Sequence, residues 1–436
     1  MSKLLRLALA SLLVPVACST KSETPPTPTP TNVTATSFSP NGCAYKVEHI
    51  AEFPDFVASS DASGSAATPS HVRIGLGGGV DSSKPGYADP STSFAVGWQT
   101  DVDTKFSKIR VGEAPDKLTT ANDGISYVVP REFGKGPIDG IRFHEAHVCG
   151  LTPGRTYYYQ VGGGDAWSPV AQIATAPAKG SKDPLIVALV GDSRDTDGTT
   201  DLPVWRALAG RVKTSGARLA LFSGDNVASG VDQSLWDKWL AGSDDTAKQM
   251  FFATAPGNHE NELIRYFAHA VMPGVGKNSE RYASFDYGPV HVMMIDDYIG
   301  VVAPSIDVDG YKTELLAWID ADLARADGNR ANVPWIVVFH HHPVFDSGTA
   351  DRVKEREATH AAFAARWDEY HVDLDVAGHD HFYERSKPIV ADAVATKGTT
   401  YVVCAGAGAP SYSTVPDNPL SQKIEHYDPA VLEGLY

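Results

Sequence analysis

The sequence predicts an α/β protein of two folded parts in series: an N-terminal β-sandwich and a C-terminal α/β sandwich domain. Residues 41–177 contain short alternating stretches with turn signals between them and few helical periods. In residues 183–436, apolar strand-like runs alternate with amphipathic helical stretches, which is typical of a buried sheet flanked by helices. The length of 436 residues also favours two domains, because single cores rarely grow beyond about 250–300 residues.

The first residues are typical of an export signal, so we expect a bacterial cell-envelope lipoprotein or a secreted protein. Lys3 and Arg6 precede an apolar run over residues 7–17 that is too short to span a bilayer. The run leads to Cys18, and residues 1–18 resemble a bacterial lipoprotein signal; an ordinary cleaved signal with a chance cysteine is the alternative. Residues 19–40 are rich in Pro and Thr, which predicts an extended linker.

The composition argues against several classes of protein. With 53 acidic and 37 basic residues the formal net charge is −16, whereas nucleic-acid binders are usually basic, so no nucleic-acid partner is expected. Membrane contact is expected only through the N-terminal lipid anchor. The four cysteines include no CxxC pair, which argues against a thiolate zinc site. Export would permit a disulfide between Cys43 and Cys149, and Cys404 is expected to be a buried free thiol.

Three stretches of the N-terminal part predict strands of the sandwich. Residues 93–99 alternate apolar and polar side chains, as a half-buried strand does, and residues 107–111 and 157–161 are similar. Residues 151–159 (LTPGRTYYY) place a Pro-Gly turn before an aromatic strand. Strands of this kind with little helix indicate a small β-sandwich.

The C-terminal part alternates two kinds of segment. Apolar runs that predict buried strands cover residues 185–190, 219–222, 250–253, 290–295, 335–339, 372–376 and 400–404. Amphipathic stretches that predict helices cover residues 203–213, 233–240, 312–323 and 360–370. This alternation favours an α/β domain.

Polar side chains of metal-ligand type follow five of these runs: Asp192, Asp225, Asn258 with His259, His340–His342, and His379 with His381. Each motif alone is weak evidence, since a single Gly-Asp or His-x-His often lies on a surface. In an α/β domain, however, sites form outside the carboxyl ends of the strands, so the set together predicts one site. Two adjacent cations need a shared carboxylate, further oxygens and neutral imidazoles, and this mixture suits Zn, Fe or Mn better than Ca.

The order of the motifs resembles the calcineurin-like metallophosphoesterase superfamily, whose motifs are Asp, Gly-Asp, Gly-Asn-His-Asp/Glu, a His after an apolar strand, and Gly-His-x-His. Counterparts of all five lie between Gly191 and His381. The chain is most similar to the purple acid phosphatase branch, which has a fibronectin-III-like sandwich with a turn like residues 151–159 and a last motif like residues 381–385 (HFYER). This resemblance implies a fibronectin-III-like domain over residues 41–177 and a metallophosphoesterase domain over residues 183–436.

The resemblance also implies two bound metal ions and a role for each matching residue. Asp192 and His381 would bind the first metal, Asn258 and His379 the second, and Asp225 both. These assignments take Fe, Zn or Mn as the ions, without choosing among them.

Two histidines need separate treatment. The family pattern places one further ligand two residues before a Pro and three after a Val, which selects His341 and leaves His340 as the fallback. His259 matches the outer histidine of the family, which faces the substrate and can protonate a leaving oxygen. Asn258 is implied to lie near the phosphate as well.

Two positions depart from the family pattern. Ala228 stands where purple acid phosphatases have a ligating Tyr, and Arg194 stands where other superfamily members have a His. The first metal therefore lacks one expected protein ligand, which water, Asp195 or Asp197 could replace, and no purple tyrosinate colour is expected. Arg194 is assigned to the phosphate, because a guanidinium suits bidentate phosphate binding, with a solvated loop arginine as the alternative.

The expected function is that of an exported dinuclear-metal phosphatase acting on small phosphate monoesters by attack of a metal-bound hydroxide. One alternative is a phosphodiesterase or nucleotidase of the same superfamily. Another is a surface-anchored binding module with a degenerate metal site. The sequence contains neither a GxxxxGK[ST] loop nor a GxSxG elbow, which argues against other hydrolase classes.

Overall fold

The computed structural model describes residues 37–49, 53–79, 87–129, 140–195, 201–260, 264–273, 278, 280–349, 352–415 and 418–426. The predicted signal over residues 1–18 and most of the predicted linker over residues 19–40 lie outside these ranges. Within them, no helix is long and apolar enough to cross a membrane.

Short strands build the N-terminal part of the described chain, and nearly all of them pair antiparallel. They are β1 (Ser37–Phe38), β2 (Val47–Glu48), β3 (Val57–Ala58), β4 (Ser70–Gly75), β5 (Tyr87–Ala88), β6 (Phe94–Asp101), β7 (Lys108–Gly112), β8 (Thr120–Asp123), β9 (Ile125–Tyr127), β10 (Ile141–Val148), β11 (Thr156–Gly163), β12 (Ala166–Trp167) and β13 (Ala171–Ala174). One sheet has the order β3-β9-β10-β6-β4, and a second has the order β12-β11-β7-β8 with β13 on β11. The predicted β-rich N-terminal domain is therefore confirmed.

The hydrophobic core of this part includes Trp98, Ile109, Tyr159 and Val161, all fully buried. Cys43 and Cys149 form a disulfide across a sequence separation of 106, which pins the first short hairpin to the end of β10.

The prediction that residues 93–99 form a half-buried strand was wrong in one respect. Residues 94–100 of β6 are buried on both faces. A Cβ at Gly97 would lie 2.7 Å from Val271, so the second face of the strand packs against the α/β part. The Arg73 guanidinium donates to the backbone oxygens of Ala268 and His269 at the same junction. An alternating sequence cannot reveal that a second structural layer covers its polar face.

In the described residues, the α/β part contains five α-helices, two main sheets and one small two-stranded sheet. Its strands are β14 (Val187–Val190), β15 (Leu219–Phe222), β16 (Phe251–Thr254), β17 (Tyr282–Tyr287), β18 (Val290–Ile295), β19 (Trp335–Phe339), β20 (Leu374–Ala377), β21 (Tyr383–Ser386), β22 (Ile389–Val390), β23 (Ala393–Val394), β24 (Thr400–Cys404) and β25 (Ser421–Glu425). Its helices are α1 (Pro203–Thr214), α2 (Gln233–Ala247), α3 (Ile264–His269), α4 (Tyr311–Asp327) and α5 (Val353–Glu369).

The two main sheets of this part are both built around parallel strands. One has the order β14-β15-β16, and the other has the order β25-β21-β24-β20-β19-β18-β17-β5. Neighbours from β18 to β24 in the larger sheet pair in parallel, whereas β17 and β21 pair antiparallel with their inner neighbours. Parallel strands with helices between them are buried on both faces. Because these strands run in the same direction, their carboxyl ends and the polar motifs that follow them lie at one edge of the sheets.

The alternation of side chains along β18 shows the layers. Val292 and Met294 belong to a core shared with β15, β16 and α2, whereas Met293 and Ile295 belong to a second core formed with α4 and α5. The sheets therefore lie between two helical layers. This arrangement confirms the predicted α/β sandwich.

Two helices extend further than the sequence indicated. Helix α2 starts after Asp232, whose side chain accepts a hydrogen bond from Ser234 N at 2.9 Å, and it continues past the predicted residue 240 to Ala247. Its later turns bury Ser243 and Thr246, and their hydroxyls donate to backbone oxygens. Helix α5 begins at Val353 rather than near residue 360. Its first turns are charged and mostly half-buried, so they carry no apolar stripe that would reveal the helix in the sequence.

One strand of the N-terminal part joins the larger α/β sheet, which the sequence did not predict. Tyr87 and Ala88 of β5 pair in parallel with β17. Asp286 of β17 accepts a hydrogen bond from Tyr87 Oη at 2.9 Å and lies 3.0 Å from Lys179 Nζ. His291 donates to Asp286 and Asp322 at 2.8 and 2.9 Å, so a buried charged group lies beneath this junction.

Candidate metal centre

Each predicted ligand lies in a loop that follows a parallel strand. Asp192 comes two residues after β14, Asp225 three after β15, His341 two after β19, and His379 two after β20. Asn258 follows β16 by four residues. Because these strand ends share one edge of the two sheets, side chains up to 189 positions apart meet there.

The carboxylate of Asp225 lies at the middle of the site. Its Oδ1 accepts a hydrogen bond from His259 N at 3.0 Å and lies 3.4 Å from His341 Nε2. Asn258 Oδ1 is 3.1 Å from both His341 Nε2 and His379 Nδ1. One oxygen from Asp225, one from Asn258 and two imidazole nitrogens therefore face one another.

Asp192 and His381 form the other end of the site. Asp192 accepts hydrogen bonds from His379 N with both oxygens, at 3.1 and 3.0 Å, and its Oδ1 lies 3.4 Å from His381 Nε2. Ligand atoms from Asp192, Asp225 and His341 lie within 4.8 Å of one another, as a shared metal site requires. Both ends are buried, since the side chains of Asp192 and Asp225 are at most 1% exposed.

The backbone at three of these residues is strained. Asp192, Asp225 and His379 have positive φ angles of 58°, 53° and 65°, a region that non-glycine residues seldom occupy. Close approach adds a second constraint, because a Cβ at Gly257 would lie 2.3 Å from Asp225 Oδ1 and one at Gly378 would lie 2.5 Å from Asp192 Oδ2. The glycines of the motifs let the loops bring the carboxylates together.

The imidazoles are held by contacts on their far sides. His341 Nδ1 donates to Ser223 O at 2.7 Å, and His381 Nδ1 donates to Pro410 O at 2.6 Å. His379 Nε2 lies 2.8 Å from Glu355 Oε2. The contacts of His341 and His381 fix a tautomer that turns the other ring nitrogen toward the site, as partners behind metal-binding histidines do. His379 Nε2 also lies 2.6 Å from Arg352 Nη1, which can only donate, so its two neighbours place the ring without fixing its tautomer.

The protonation states suit metal binding. Burial lowers the pKa of His341, and burial together with His342 and His341 lowers the pKa of His379, so both rings are neutral near pH 7. Burial acts to raise the pKa of Asp225, but His341, His259 and Arg194 outweigh it and hold that pKa below its ordinary value. Two neutral imidazoles, the ionised carboxylate of Asp225 and the amide oxygen of Asn258 form a donor set that fits Zn, Fe or Mn.

The structure distinguishes the three consecutive histidines. His341 faces the site, whereas His340 donates to Asp297 at 2.8 Å and to Asp375 at 2.9 Å on the far side of β19. Burial acts to lower the pKa of His340, but Asp375 and Asp297 raise it to about 10. A doubly paired, charged imidazole is a structural ion pair, so these contacts favour His341 as the ligand over the fallback His340.

Sequence reasoning missed His342. Ligand atoms of His341, His342 and His379 lie within 4.8 Å of one another. Asp297 Oδ1 lies 2.8 Å from His342 Nδ1, and Asp297 Oδ2 accepts from His342 N at 2.7 Å. The run of three histidines was the available signal, but a strand pattern with period two gives no reason to expect two adjacent residues at one site.

Sequence reasoning also missed Glu260, which organises two of the loops. Its buried carboxylate accepts hydrogen bonds from the backbone nitrogens of Asp225 and Gly257 at 2.9 and 2.8 Å, and from Val227 N at 3.3 Å. Burial and the nearby charge of Asp225 raise the pKa of Glu260 to about 8. The side chain thus joins the loop after β15 to the loop after β16 and sets the position of the central carboxylate.

Comparison with known proteins agrees with this arrangement. Residues 84–175 match the family model of the purple acid phosphatase N-terminal domain, and residues 189–383 match that of the calcineurin-like phosphoesterases. Purple acid phosphatase 21 of Arabidopsis thaliana is 30% identical over 327 residues, which cover 72% of this chain and 68% of the relative. The chain belongs to the purple acid phosphatase family.

Two further comparisons show how far the likeness extends. Purple acid phosphatase 22 of Arabidopsis thaliana is 28% identical over 278 residues, which cover 61% of this chain but only 59% of that relative. The solved structure of a purple acid phosphatase from yellow lupin (Lupinus luteus) seeds has a TM-score of 0.65 at 20% identity, over 82% of this chain and 68% of that one. This structural match shows a shared fold of a β-rich domain followed by an α/β phosphoesterase domain.

The purple acid phosphatase family uses a dinuclear metal centre, and this member departs from it at Arg194 and Ala228. Arg194 does not extend into solvent: its side chain is 11% exposed, and its Nε lies 3.2 Å from Asp225 Oδ2. Its Nη2 lies 3.4 Å from His381 Nε2. Ala228 contributes its backbone oxygen, which accepts a hydrogen bond from His259 Nδ1 at 2.7 Å. Of the suggested replacement ligands, Asp197 lies outside the described residues, and the role of Asp195 stays untested.

Proposed function

We propose that this purple acid phosphatase hydrolyses small phosphate monoesters. One observation carries the proposal: Asp225, Asn258, His341 and His379 face one another in a buried site beside the half-buried His259. Bound Fe, Zn or Mn would lower the pKa of water and neutralise charge on phosphoryl oxygens. The remaining steps rest on side chains of this chain.

His259 is placed to move a proton. Its Nδ1 donates to Ala228 O, and its Nε2 lies 3.8 Å from Asp225 Oδ2 in a side chain that is 29% exposed. When both ring nitrogens carry a proton, Nδ1 stays hydrogen-bonded to Ala228 O and the accessible Nε2 can donate its proton to the leaving oxygen of a substrate at the mouth of the site. The neighbouring Asn258 turns its oxygen to the imidazoles, which leaves its amide nitrogen as a donor for a phosphoryl oxygen.

A small cavity beside the centre supports a monoester of modest size. It has a volume of about 280 Å³, and its lining includes Thr349, Arg352, Asp380 and Tyr412. The Tyr412 ring stacks on His381 with centroids 3.9 Å apart, and the Arg352 guanidinium lies 4.3 Å above the same ring. Two guanidiniums near the centre, those of Arg194 and Arg352, favour a monoester dianion over a singly charged diester.

Turnover of phosphate esters by the metal-loaded protein tests the proposal. We expect an aryl monophosphate to be hydrolysed faster than a bis-aryl phosphate. We expect His259→Gln to lower kcat by about 10²-fold to 10⁴-fold for alkyl monophosphates, with a smaller effect on aryl esters, whose leaving oxygen needs less protonation. His360→Gln, in a ring near the surface, is the matched control. Faster diester turnover would favour the phosphodiesterase alternative, and inertness toward every ester would favour a binding module.

We also propose that the protein is exported and acts on small-molecule esters, without a nucleic-acid partner. The basic and apolar residues before Cys18 support export, as does the disulfide between Cys43 and Cys149, since such bonds persist in oxidising compartments. A membrane would be contacted only through lipid on Cys18. Labelling cells with an alkyne fatty acid should mark the wild type and not Cys18→Ser; unlabelled wild type would leave a secreted form.

A further inference from the structure

The two oxygens of Asp225 face different surroundings. Oδ1 faces His341 Nε2 at 3.4 Å, on the side where Asn258 and His379 also converge. Oδ2 faces Arg194 Nε at 3.2 Å. The residue expected to bridge two cations therefore has imidazoles on one side and a guanidinium on the other.

Arg194 lies among the side chains expected to bind the first metal. Its Nη2 is 3.4 Å from His381 Nε2, and Asp192 Oδ1 is 3.4 Å from the same nitrogen. This guanidinium is largely buried, so bulk water screens its charge little. The carboxylates of Asp225 and Asp192 balance that charge instead. A divalent ion entering here would meet a like charge at close range in a site with little solvent to screen it.

The same side also offers few ligands to an ion. Position 228, which supplies a phenolate oxygen in the family pattern, is an alanine, and position 194 supplies a cation instead of an imidazole. Asp192, Asp225 and His381 would remain, and the first two already balance Arg194.

The opposite side is richer in donors than the family pattern requires. His342 adds a third imidazole to His341 and His379. Its buried Nε2 has no hydrogen-bond partner among the described residues, whereas Asp297 holds its Nδ1. A carboxylate behind one nitrogen and an unpartnered second nitrogen are what a metal-binding imidazole requires. Together with Asn258 and Asp225, this side offers five donor side chains.

We propose that this member of the family binds a single metal ion, held by His341, His342, His379, Asn258 and Asp225, and that the Arg194 guanidinium permanently takes the place of the other ion. Arg194 then supplies fixed positive charge to the phosphoryl group, as a guanidinium does in other phosphoryl-transfer sites. The inference rests on the proposed function for its catalytic meaning only, because the number of bound ions is measured independently of turnover.

Metal content measured by mass spectrometry, after equilibration with zinc or manganese and removal of free ion, tests the inference. We expect one ion per wild-type chain. We expect two per chain in Arg194→His/Ala228→Tyr, which restores both missing ligands, and, after loading with Fe(III), a visible tyrosinate absorption band that wild type lacks. Arg194→Gln, which removes only the charge, should bind a second ion more weakly than the double variant.

The ligand role of His342 has its own readout. In competition with a chromogenic chelator, we expect His342→Ala to weaken binding of the single ion at least 10-fold. His360→Ala serves as the control. The role of Arg194 would be overturned if wild type bound two ions, or if wild type and the double variant each bound one. An unchanged metal affinity in His342→Ala would remove His342 from the ligand set. One bound ion without any ester hydrolysis would refute the proposed function and leave this inference standing.

Discussion

A buried ion pair at the junction of the two parts makes stability depend on pH. Burial acts to lower the pKa of His291, but the carboxylates of Asp322 and Asp286 raise it from 6.5 to about 9. A group whose pKa is higher in the folded than in the unfolded chain stabilises the folded state. This contribution is complete at pH values below the pKa of the unfolded chain, and it is lost as the pH rises through the pKa of the folded chain. The contribution of His291 should therefore be complete below about pH 6.5 and absent above about pH 9.

The size of the effect follows from the two pKa values. A rise of about 2.5 in pKa corresponds to about 3 kcal/mol of unfolding free energy, at roughly 1.4 kcal/mol for each pKa unit. The ring is almost fully buried, with a side chain that is 1% exposed, so solvent screening removes little of this. His291→Gln keeps a polar side chain in place but cannot carry the charge.

Urea unfolding of wild type and His291→Gln between pH 6 and pH 10 measures the effect. Other buried groups such as His49, whose pKa two glutamates raise to about 9 against the effect of burial, titrate in the same range, so the difference between the two proteins is the quantity to follow. We expect that difference to shrink by about 3 kcal/mol as the pH rises. His371→Gln, in a ring that is 73% exposed, is the control and should show no such trend. A difference that stays constant across the range would refute the reasoning.

Three further predictions concern the site and the sandwich. Asp297→Asn removes the carboxylate behind His342 and should weaken metal binding about 10-fold to 100-fold in a chelator competition; unchanged affinity would count against that contact. Chelation of the metal should lower the midpoint of thermal unfolding, because an ion at about 1,000 times its Kd adds about 4 kcal/mol to the free energy of unfolding. Equal midpoints with and without metal would contradict the proposed metal site. Cys43→Ser removes a disulfide that joins residues 106 positions apart, and it should lower the free energy of unfolding, measured with urea, by about 4 kcal/mol. The reduced wild type is the control, and a loss below about 1 kcal/mol would refute this value.

The parallel strands of the α/β part were predictable because each is a short apolar run, whereas β17, β21 and β25 were not predicted. Observed strands such as Leu219–Phe222, Val290–Ile295 and Trp335–Phe339 coincide with the predicted ones. Burial of a parallel strand on both faces leaves an unbroken apolar signal. Strand β5 gives no such signal, since its two residues join the sheet through Tyr87 and a charged junction rather than through an apolar run.

Side-chain partners in the site were less predictable than ligand positions. The sequence placed Asp225 and His341 after their strands, but it could not show that the Arg194 side chain turns inward to Asp225 rather than into solvent. That contact joins two residues 31 positions apart, and no local pattern in the sequence signals it. The domain boundaries at residues 41–177 and 183–436, and the fibronectin-III-like character of the sandwich, stay predictions.

Anomalous X-ray diffraction from crystals grown with zinc or manganese would test the central claim most directly. The account predicts a strong metal peak among Asp225 Oδ1, His341 Nε2 and His379 Nδ1, at about 2.0–2.2 Å from oxygen and nitrogen ligands for zinc. The account would be contradicted if, at saturating metal, no anomalous peak lay between these three atoms and a protein side chain separated them from one another.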